Sequence, residues 1–227
     1  MGRRDAGARG EVTGGGQMAA LEHLISKLLV ASGVRPEDIR TRTELELPGH
    51  FRATKKWDLV VVSQGRLVAA MEFKSQAGDS IGNNVNNRSE EALGSASDIW
   101  TAYREGRFGA SPAPFLGYFF LLEDQDKVNV PVRNKEPHFP VDPAFRGETP
   151  RRGRDGQPVF AGISYARRYE LLCRRLVLER IYTSACFVMA TNEKETRITQ
   201  PAEDLAFARF AATLRGHVVG LLSGLPG

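Results

Sequence analysis

Apolar positions recur along this chain first with the period of a helix and then with the shorter period of strands. From Gln17 to Ser32, the residues Met18, Leu21, Ile25, Leu28 and Leu29 form one stripe at spacings of three and four, and Gly33 follows as a stop. Thr43 to Leu47 reads as a short strand closed by Pro48-Gly49. Two apolar strands follow, at 57–62 and 66–74, with Ser63-Gln64-Gly65 between them as a hairpin loop. The polar stretch from Gln76 to Asn87 predicts a loop, after which Asn87 and Glu90 suit a capping box. The helix beyond it carries Ala92, Leu93, Ala96, Ile99, Trp100 and Tyr103 and ends near Gly106. Phe115 to Leu122 is an unbroken apolar run of strand length, suited to a buried central strand. A long connection rich in Pro, Arg and Gly spans 124–163. Tyr165 to Arg180 then reads as helix, Tyr182 to Ala190 as strand, and Ala202 to Leu222 as helix.

Residues 1–16, rich in Gly and Arg and ending in Thr13-Gly-Gly-Gly16, predict a flexible arm. Residues 17–227 predict one domain, a length that supports a substantial core. There is no internal repeat.

Charge interrupts the pattern at one place. Asp58, Glu72 and Lys74 fall inside the two hairpin strands, where hydrophobic residues belong. Buried charge is costly unless it is paired or holds a metal. With a three-residue loop and Gly65 in a left-handed bulge position, Asp58 faces Ala70 and lies diagonal to Glu72. Alternation then puts Asp58, Ala70, Glu72 and Lys74 on one face. A two-residue turn would send Asp58 to the other face. Two carboxylates and a lysine on one sheet face suit a metal-dependent nuclease. A structural cluster of ion pairs fits the same spacing. Glu22 falls inside the first helix's apolar stripe, either at its edge or as an extension of this charged site.

The element order is helix, three strands, helix, strand, with helical and strand additions toward the C-terminus. It predicts an α/β fold with the restriction-endonuclease-like PD-(D/E)XK core, whose charged residues sit on the second and third strands. Composition is ordinary for a soluble globular protein, with 41% hydrophobic and 26% charged residues and a net charge of +4. No apolar run approaches the roughly 20 residues of a membrane span. The N-terminus has no signal-peptide core, and the two cysteines, Cys173 and Cys186, form no disulfide framework. A cytoplasmic setting is expected. Arginines cluster at Arg146, Arg151, Arg152 and Arg154, and again at Arg167, Arg168, Arg174, Arg175 and Arg180. Such clusters suit DNA phosphates, and equally a solvated face with ion pairs to Glu170 and Glu179. No two histidines fall at metal-ligand spacing; His50 and His138 stand alone.

Longer strings narrow the reading. Pro48 to Asp58, Glu72-Phe-Lys-Ser-Gln76, Gly82 to Gly94, Asp98 to Glu105, Leu121-Leu-Glu-Asp124 and Glu136-Pro-His-Phe139 closely resemble XhoI-type restriction endonucleases. The similarity runs from about Thr13 to the C-terminal helix, although the segment before Thr13 is shorter than the family leads one to expect. The resemblance implies a type II restriction enzyme: a homodimer that cuts a palindromic hexamer in double-stranded DNA with Mg2+, at CTCGAG in the family's type member. It also implies a cognate DNA methyltransferase encoded nearby, and no membrane association. Asp58 takes the place of the first acid, with Trp57 where a proline usually precedes it. Glu72 is then the second acid and Lys74 the motif lysine.

On this reading Asp58, Glu72 and the Phe73 carbonyl hold Mg2+, and Lys74 orients or deprotonates the attacking water. Gln76 steadies that water or a ligand, or is simply an amide bonded within the sheet. Glu22 adds an outer contact to the metal. For base reading the candidates are Asn83, Asn84, Asn86, Asn87 and Arg88, and separately Arg133, Asn134 and Lys135. The asparagine run equally suits a loop bonded to its own backbone. Two other readings compete: a repair or recombination nuclease of the same fold, and a nuclease-fold DNA-binding module without catalysis.

Overall fold

The computed structural model describes residues 5–78, 81–136, 138–152, 158–193 and 195–224. The helix built on the Met18–Leu29 stripe, α1 (Asp5–Ala31), sets Leu21, Ile25 and Leu29 into the core. It begins well before Gln17, so residues 5–16 are helical and continue this element toward the N-terminus. Extending a helix that packing has already nucleated is far easier than starting one. Gly33 ends it in a left-handed conformation, φ 98°.

The next elements in the chain are β1 (Ile39–Arg40), β2 (Glu46–Pro48), β3 (Thr54–Lys56), β4 (Leu59–Ser63), β5 (Arg66–Gln76), α2 (Ile81–Arg104) and β6 (Phe115–Glu123). Beyond them lie α3 (Asp126–Asn129), β7 (Arg146–Arg152), β8 (Pro158–Gly162), α4 (Tyr165–Leu178), β9 (Ser184–Ala190), β10 (Ile198–Thr199) and α5 (Phe207–Ser223). Six strands form a mixed central sheet in the order β1-β4-β5-β6-β9-β10. Its centre, β5-β6-β9, is parallel, and the outer pairings are antiparallel. Helices α1 and α5 cover one face, over Leu59, Val61, Met71 and Phe119. Helices α2 and α4 cover the other, over Val60, Ala70, Tyr118 and Phe120. The result is a three-layer α/β architecture with a core on each side of the sheet.

Three predicted elements differ. The strand expected at 43–47 is β2, which pairs with β3 in a separate two-stranded ribbon; the short β1 takes the sheet edge beside β4. The connection at 124–163 contains α3 and the β7–β8 hairpin, whose residues lack the alternation that marks a strand. The loop expected up to Asn87 is largely helix. Helix α2 starts at Ile81, where buried Ile81 and Val85 extend the stripe of Ala92, Ala96 and Ile99. That packing overrides the weak helix propensity of the asparagines and removes the capping box at Asn87.

Strand β6 is buried along nearly its whole length, as its apolar run requires. Gly117 marks its tightest point: a Cβ there would lie 2.8 Å from the Phe115 ring and 3.1 Å from Met71 and Phe210. Gly117→Ala is therefore expected to cost about 1–3 kcal/mol through overpacking. In a chain of this size that lowers the melting temperature by roughly 2–12 °C. A melting curve that overlays the parent's would show that these rings yield freely. Among the described residues, no helix is long and apolar enough to cross a membrane. Cys173 and Cys186 are both free and buried.

Candidate active site

The β4–β5 hairpin carries the charged trio, and its register differs from the expected one in an instructive way. The turn has two residues, Gln64 and Gly65, both left-handed with φ 50° and 73°, and Ser63 pairs with Arg66. Such a turn alone would bring Asp58 level with Met71 and point it to the wrong face. A bulge between Val61 and Val62 adds one residue on β5 and restores the parity. Leu59 pairs with Met71, so Asp58 comes level with Glu72 and not with Ala70.

Hydrogen bonds hold Asp58 there. Its N–H donates to the Met71 carbonyl at 3.1 Å, and its Oδ2 accepts from the Phe73 N–H at 2.7 Å. Both bonds reach β5, one on each side of Glu72. Burial raises the Asp58 carboxyl above its usual range; the Phe73 bond opposes this, and the negative charge of Glu72 adds to it.

Glu72 is only 3% exposed and lies between two ammonium groups. Lys74 Nζ is 2.6 Å from Oε1, and Lys55 Nζ is 2.9 Å from Oε2. Burial alone would raise its carboxyl, but the two lysines outweigh burial and hold it below the usual range. Lys74 also faces Glu91 at 3.8 Å, and Glu91 pairs with Arg88 at 2.7 Å. A line of charge therefore runs from the sheet onto α2.

Lys55 had no place among the expected residues. It reaches the site from β3, with Nζ 4.3 Å from the centre of the Trp57 ring. The signal was present in the sequence: strand alternation puts Lys55 on the same side as Trp57, a residue that belongs in the core, while Lys56 faces away.

Glu22, on α1, is partly buried. Burial raises its carboxyl, the charge of Asp58 raises it further, and Arg42 opposes both. It thus lies within electrostatic reach of the site. Gln76 is buried; its Nε2 donates to the Ala77 carbonyl, and its Oε1 accepts from Asn84 Nδ2 at 3.0 Å. It fastens the end of β5 to the start of α2. The Phe73 ring packs against Phe119 among the residues beneath α1 and α5, so only its backbone can serve the charged site.

The base-reading candidates separate. Asn84 and Arg88 sit on the α2 face near Gln76 and Glu91. Asn86 and Asn87 are exposed on the same helix. Asn83 also lies in α2, with its side chain outside the described residues. Arg133 and Lys135 are exposed in the excursion between β6 and α4. Asn134 is engaged inside it, accepting from Arg168 at 2.7 Å and donating to the Phe145 carbonyl at 2.8 Å. The second arginine cluster is largely occupied within the fold. Arg167 pairs with Glu170, Arg174 with Glu170 and Asp204, and Arg175 with Asp142. In the first cluster Arg146 pairs with Glu136, the side chains of Arg151 and Arg152 lie outside the described residues, and so does Arg154. His50 stands 3.7 Å from Glu105, and His138 is exposed.

Known proteins place the chain, by its sequence, in a family. The family model described as restriction endonuclease XhoI matches residues 1–201. The type II restriction enzyme BstVI of Geobacillus stearothermophilus is 45% identical over 222 residues, 95% of this chain and 92% of the relative. The type II restriction enzyme XhoI of Xanthomonas vasicola is 42% identical over 179 residues, 78% of this chain and 66% of the relative. For AbrI of Azospirillum brasilense the figures are 53% over 117 residues, 51% and 53%. No solved structure matches. The chain belongs to the XhoI restriction endonuclease family.

Proposed function

We propose that this protein, a type II restriction endonuclease, cuts double-stranded DNA at the palindrome CTCGAG in a Mg2+-dependent reaction carried out by Asp58, Glu72 and Lys74. The observation that carries the reading is the buried Glu72, held against Lys74 and level with Asp58, in a chain of this family. The directions of β4, β5, β6 and β9, with α1 and α2 on opposite faces, support a PD-(D/E)XK core.

The donor set fits Mg2+. Two carboxylates whose charges repel each other, beside a backbone carbonyl, offer the hard oxygens that ion prefers. Among the described residues no three His, Cys, Asp or Glu side chains converge on a metal-binding position. The remaining positions thus fall to water and phosphate oxygens, which suits an ion that keeps several waters. Asp58, Glu72 and the Phe73 carbonyl would hold the ion, which when bound polarises the phosphate and makes a bound water more acidic.

The chain's own groups do the rest. Lys74, two residues beyond Glu72 on the same face, orients the attacking water and balances charge at the phosphate. Gln76 positions α2, and through Asn84 it fixes the helix whose first turns approach the bases. Arg88 and Asn84 are the leading base-reading candidates on α2, with exposed Arg133 and Lys135 available to phosphates or bases. Glu22 adds negative potential beside Asp58. A twofold palindrome calls for a homodimer, and a DNA methyltransferase encoded nearby would protect the host.

The test is digestion of two plasmids, one with a single CTCGAG site and one with none, in Mg2+ and then in chelator. One Mg2+-dependent cut confined to the first plasmid is expected. Discrete cuts elsewhere would overturn the target and keep the nuclease. Cutting that persists in chelator would overturn the metal.

A further inference from the structure

The ion pair between Lys55 and Glu72 has a consequence beyond neutralising a buried charge. Each Glu72 oxygen faces an ammonium group, Oε1 that of Lys74 at 2.6 Å and Oε2 that of Lys55 at 2.9 Å, and the second is a charge contact in which buried Oε2 accepts no hydrogen bond. Lys74 lies on the same strand, but Lys55 comes from the β2–β3 ribbon outside the central sheet. Lys55 is held in three ways: by Glu72, by the Lys56 carbonyl at 3.2 Å, and by the Trp57 ring. Only 12% of its side chain is exposed. Asp58, Glu72, Lys55 and Lys74 together carry no net charge, so the site is balanced before any metal or DNA arrives. A divalent cation entering it would bring two further positive charges beside two ammonium groups and would approach an oxygen that already faces one of them. A DNA phosphate supplies the missing negative charge and a new partner for a displaced ammonium.

We propose that Lys55 is a resident counter-cation of Glu72, competing with the divalent metal for Oε2. It keeps metal affinity low in the DNA-free enzyme and moves to a DNA phosphate when substrate binds. Metal binding and DNA binding are thereby coupled, each favouring the other. The role rests on Glu72 being a metal ligand. Lys55 acts through Glu72 and not on the reacting atoms, so it is a positioning residue.

The test is a calorimetric titration of Mn2+ into DNA-free protein, comparing the parent with Lys55→Met, Lys56→Met, Glu72→Gln and the Lys55→Met/Glu72→Gln pair. Lys55→Met is expected to tighten Mn2+ binding about tenfold or more, a modest fraction of the repulsion between cations roughly 4 Å apart. Lys56→Met, at an exposed and solvent-screened position, should stay within about twofold of the parent. The gain should vanish when Glu72→Gln is also present. If Glu72→Gln leaves Mn2+ affinity unchanged, Glu72 is not a ligand, and the site reading falls together with this one. If Glu72→Gln weakens Mn2+ binding while Lys55→Met leaves it unchanged or weaker, only the role of Lys55 is overturned. Lys55→Gln substitutes should the methionine variant not fold.

A second titration uses Ca2+ with and without a duplex carrying CTCGAG, the duplex being checked on a gel for integrity. The duplex should tighten Ca2+ binding more in the parent than in Lys55→Met. Equal tightening in both would overturn the coupling.

Discussion

Replacing Glu72 with glutamine is expected to lower metal-dependent cleavage by about 10³-fold or more. The substitution keeps the shape of the side chain and removes one charge from the centre of the site. That charge is ionised at neutral pH, because Lys55 and Lys74 hold the carboxyl down against the effect of burial. Its loss removes a metal ligand and also the group against which both ammonium ions are positioned. Breaking a fully buried ion pair costs about 3–5 kcal/mol. Here the side chain of Lys74 is 23% exposed and that of Lys55 12%, so both can turn toward water. The stability loss should therefore stay near about 1–2 kcal/mol. Metal-free binding to DNA should be no weaker than in the parent, since a negative charge facing phosphate has gone. Single-turnover cleavage, a gel-shift titration without metal and a thermal melt read these three effects apart. A variant that melts like the parent and cuts within about tenfold of it would remove Glu72 from the chemistry.

The same residues show how far the sequence could be read. The stripe Leu21-Ile25-Leu29 and the run Phe115–Leu122 were legible because burial imposes a period that survives any detail of the fold. The common face of Asp58, Glu72 and Lys74 was legible too, but its route was not. A two-residue turn plus a bulge has the same parity as a three-residue loop, and the sequence near Gly65 does not separate them. The asparagine run predicts a loop because its local preference is for turns. Ile81 and Val85, buried against the sheet, decide otherwise, and no local preference reports a contact made so far along the chain. Lys55 was hidden for a similar reason. Alternation with Trp57 marks Lys55 as the inward lysine of Thr54-Lys55-Lys56, but that its ribbon reaches Glu72 depends on the pairing of β3 to β2 and on the packing of Trp57. The arginine clusters mislead in the opposite sense. The pairing of Arg174 with Glu170, one helical turn away, was open in the sequence, but Asp204, which also holds Arg174, and Asp142, which holds Arg175, lie about thirty residues away.

The ribbon that delivers Lys55 depends on one carboxylate, and Asp98→Ala is expected to be the most destabilising single change near the site. Asp98 lies on α2 with its side chain only 3% exposed. It accepts from the His50 N–H, the Phe51 N–H and Arg52 Nε, each at 2.7 Å. The backbone at Gly49 wraps so closely that a Cβ there would come within 2.5 Å of Asp98 Oδ2. Hydrogen bonds to an ionised group contribute about 1.5–3 kcal/mol each when lost singly. Arg52 is half exposed and the two N–H groups can recruit water, so the total should be about 2–4 kcal/mol and not the sum. The melting temperature should then fall by roughly 4–16 °C.

Acid supplies an independent check. Burial would raise the Asp98 carboxyl, but the bonds from Arg52, Phe51 and His50 outweigh it and leave it below its ordinary value of 3.8. A carboxyl whose native pKa is depressed contributes its stability above the unfolded value and loses it as pH falls through the native one. The gap between parent and Asp98→Ala should thus be constant from neutral pH down to about 4 and close below it. Loosening the ribbon also releases Lys55 from Glu72, so Asp98→Ala should share part of the tighter Mn2+ binding expected of Lys55→Met. A variant that melts within about 1 °C of the parent would show that the ribbon is held by Leu45, Leu47 and Trp57 alone.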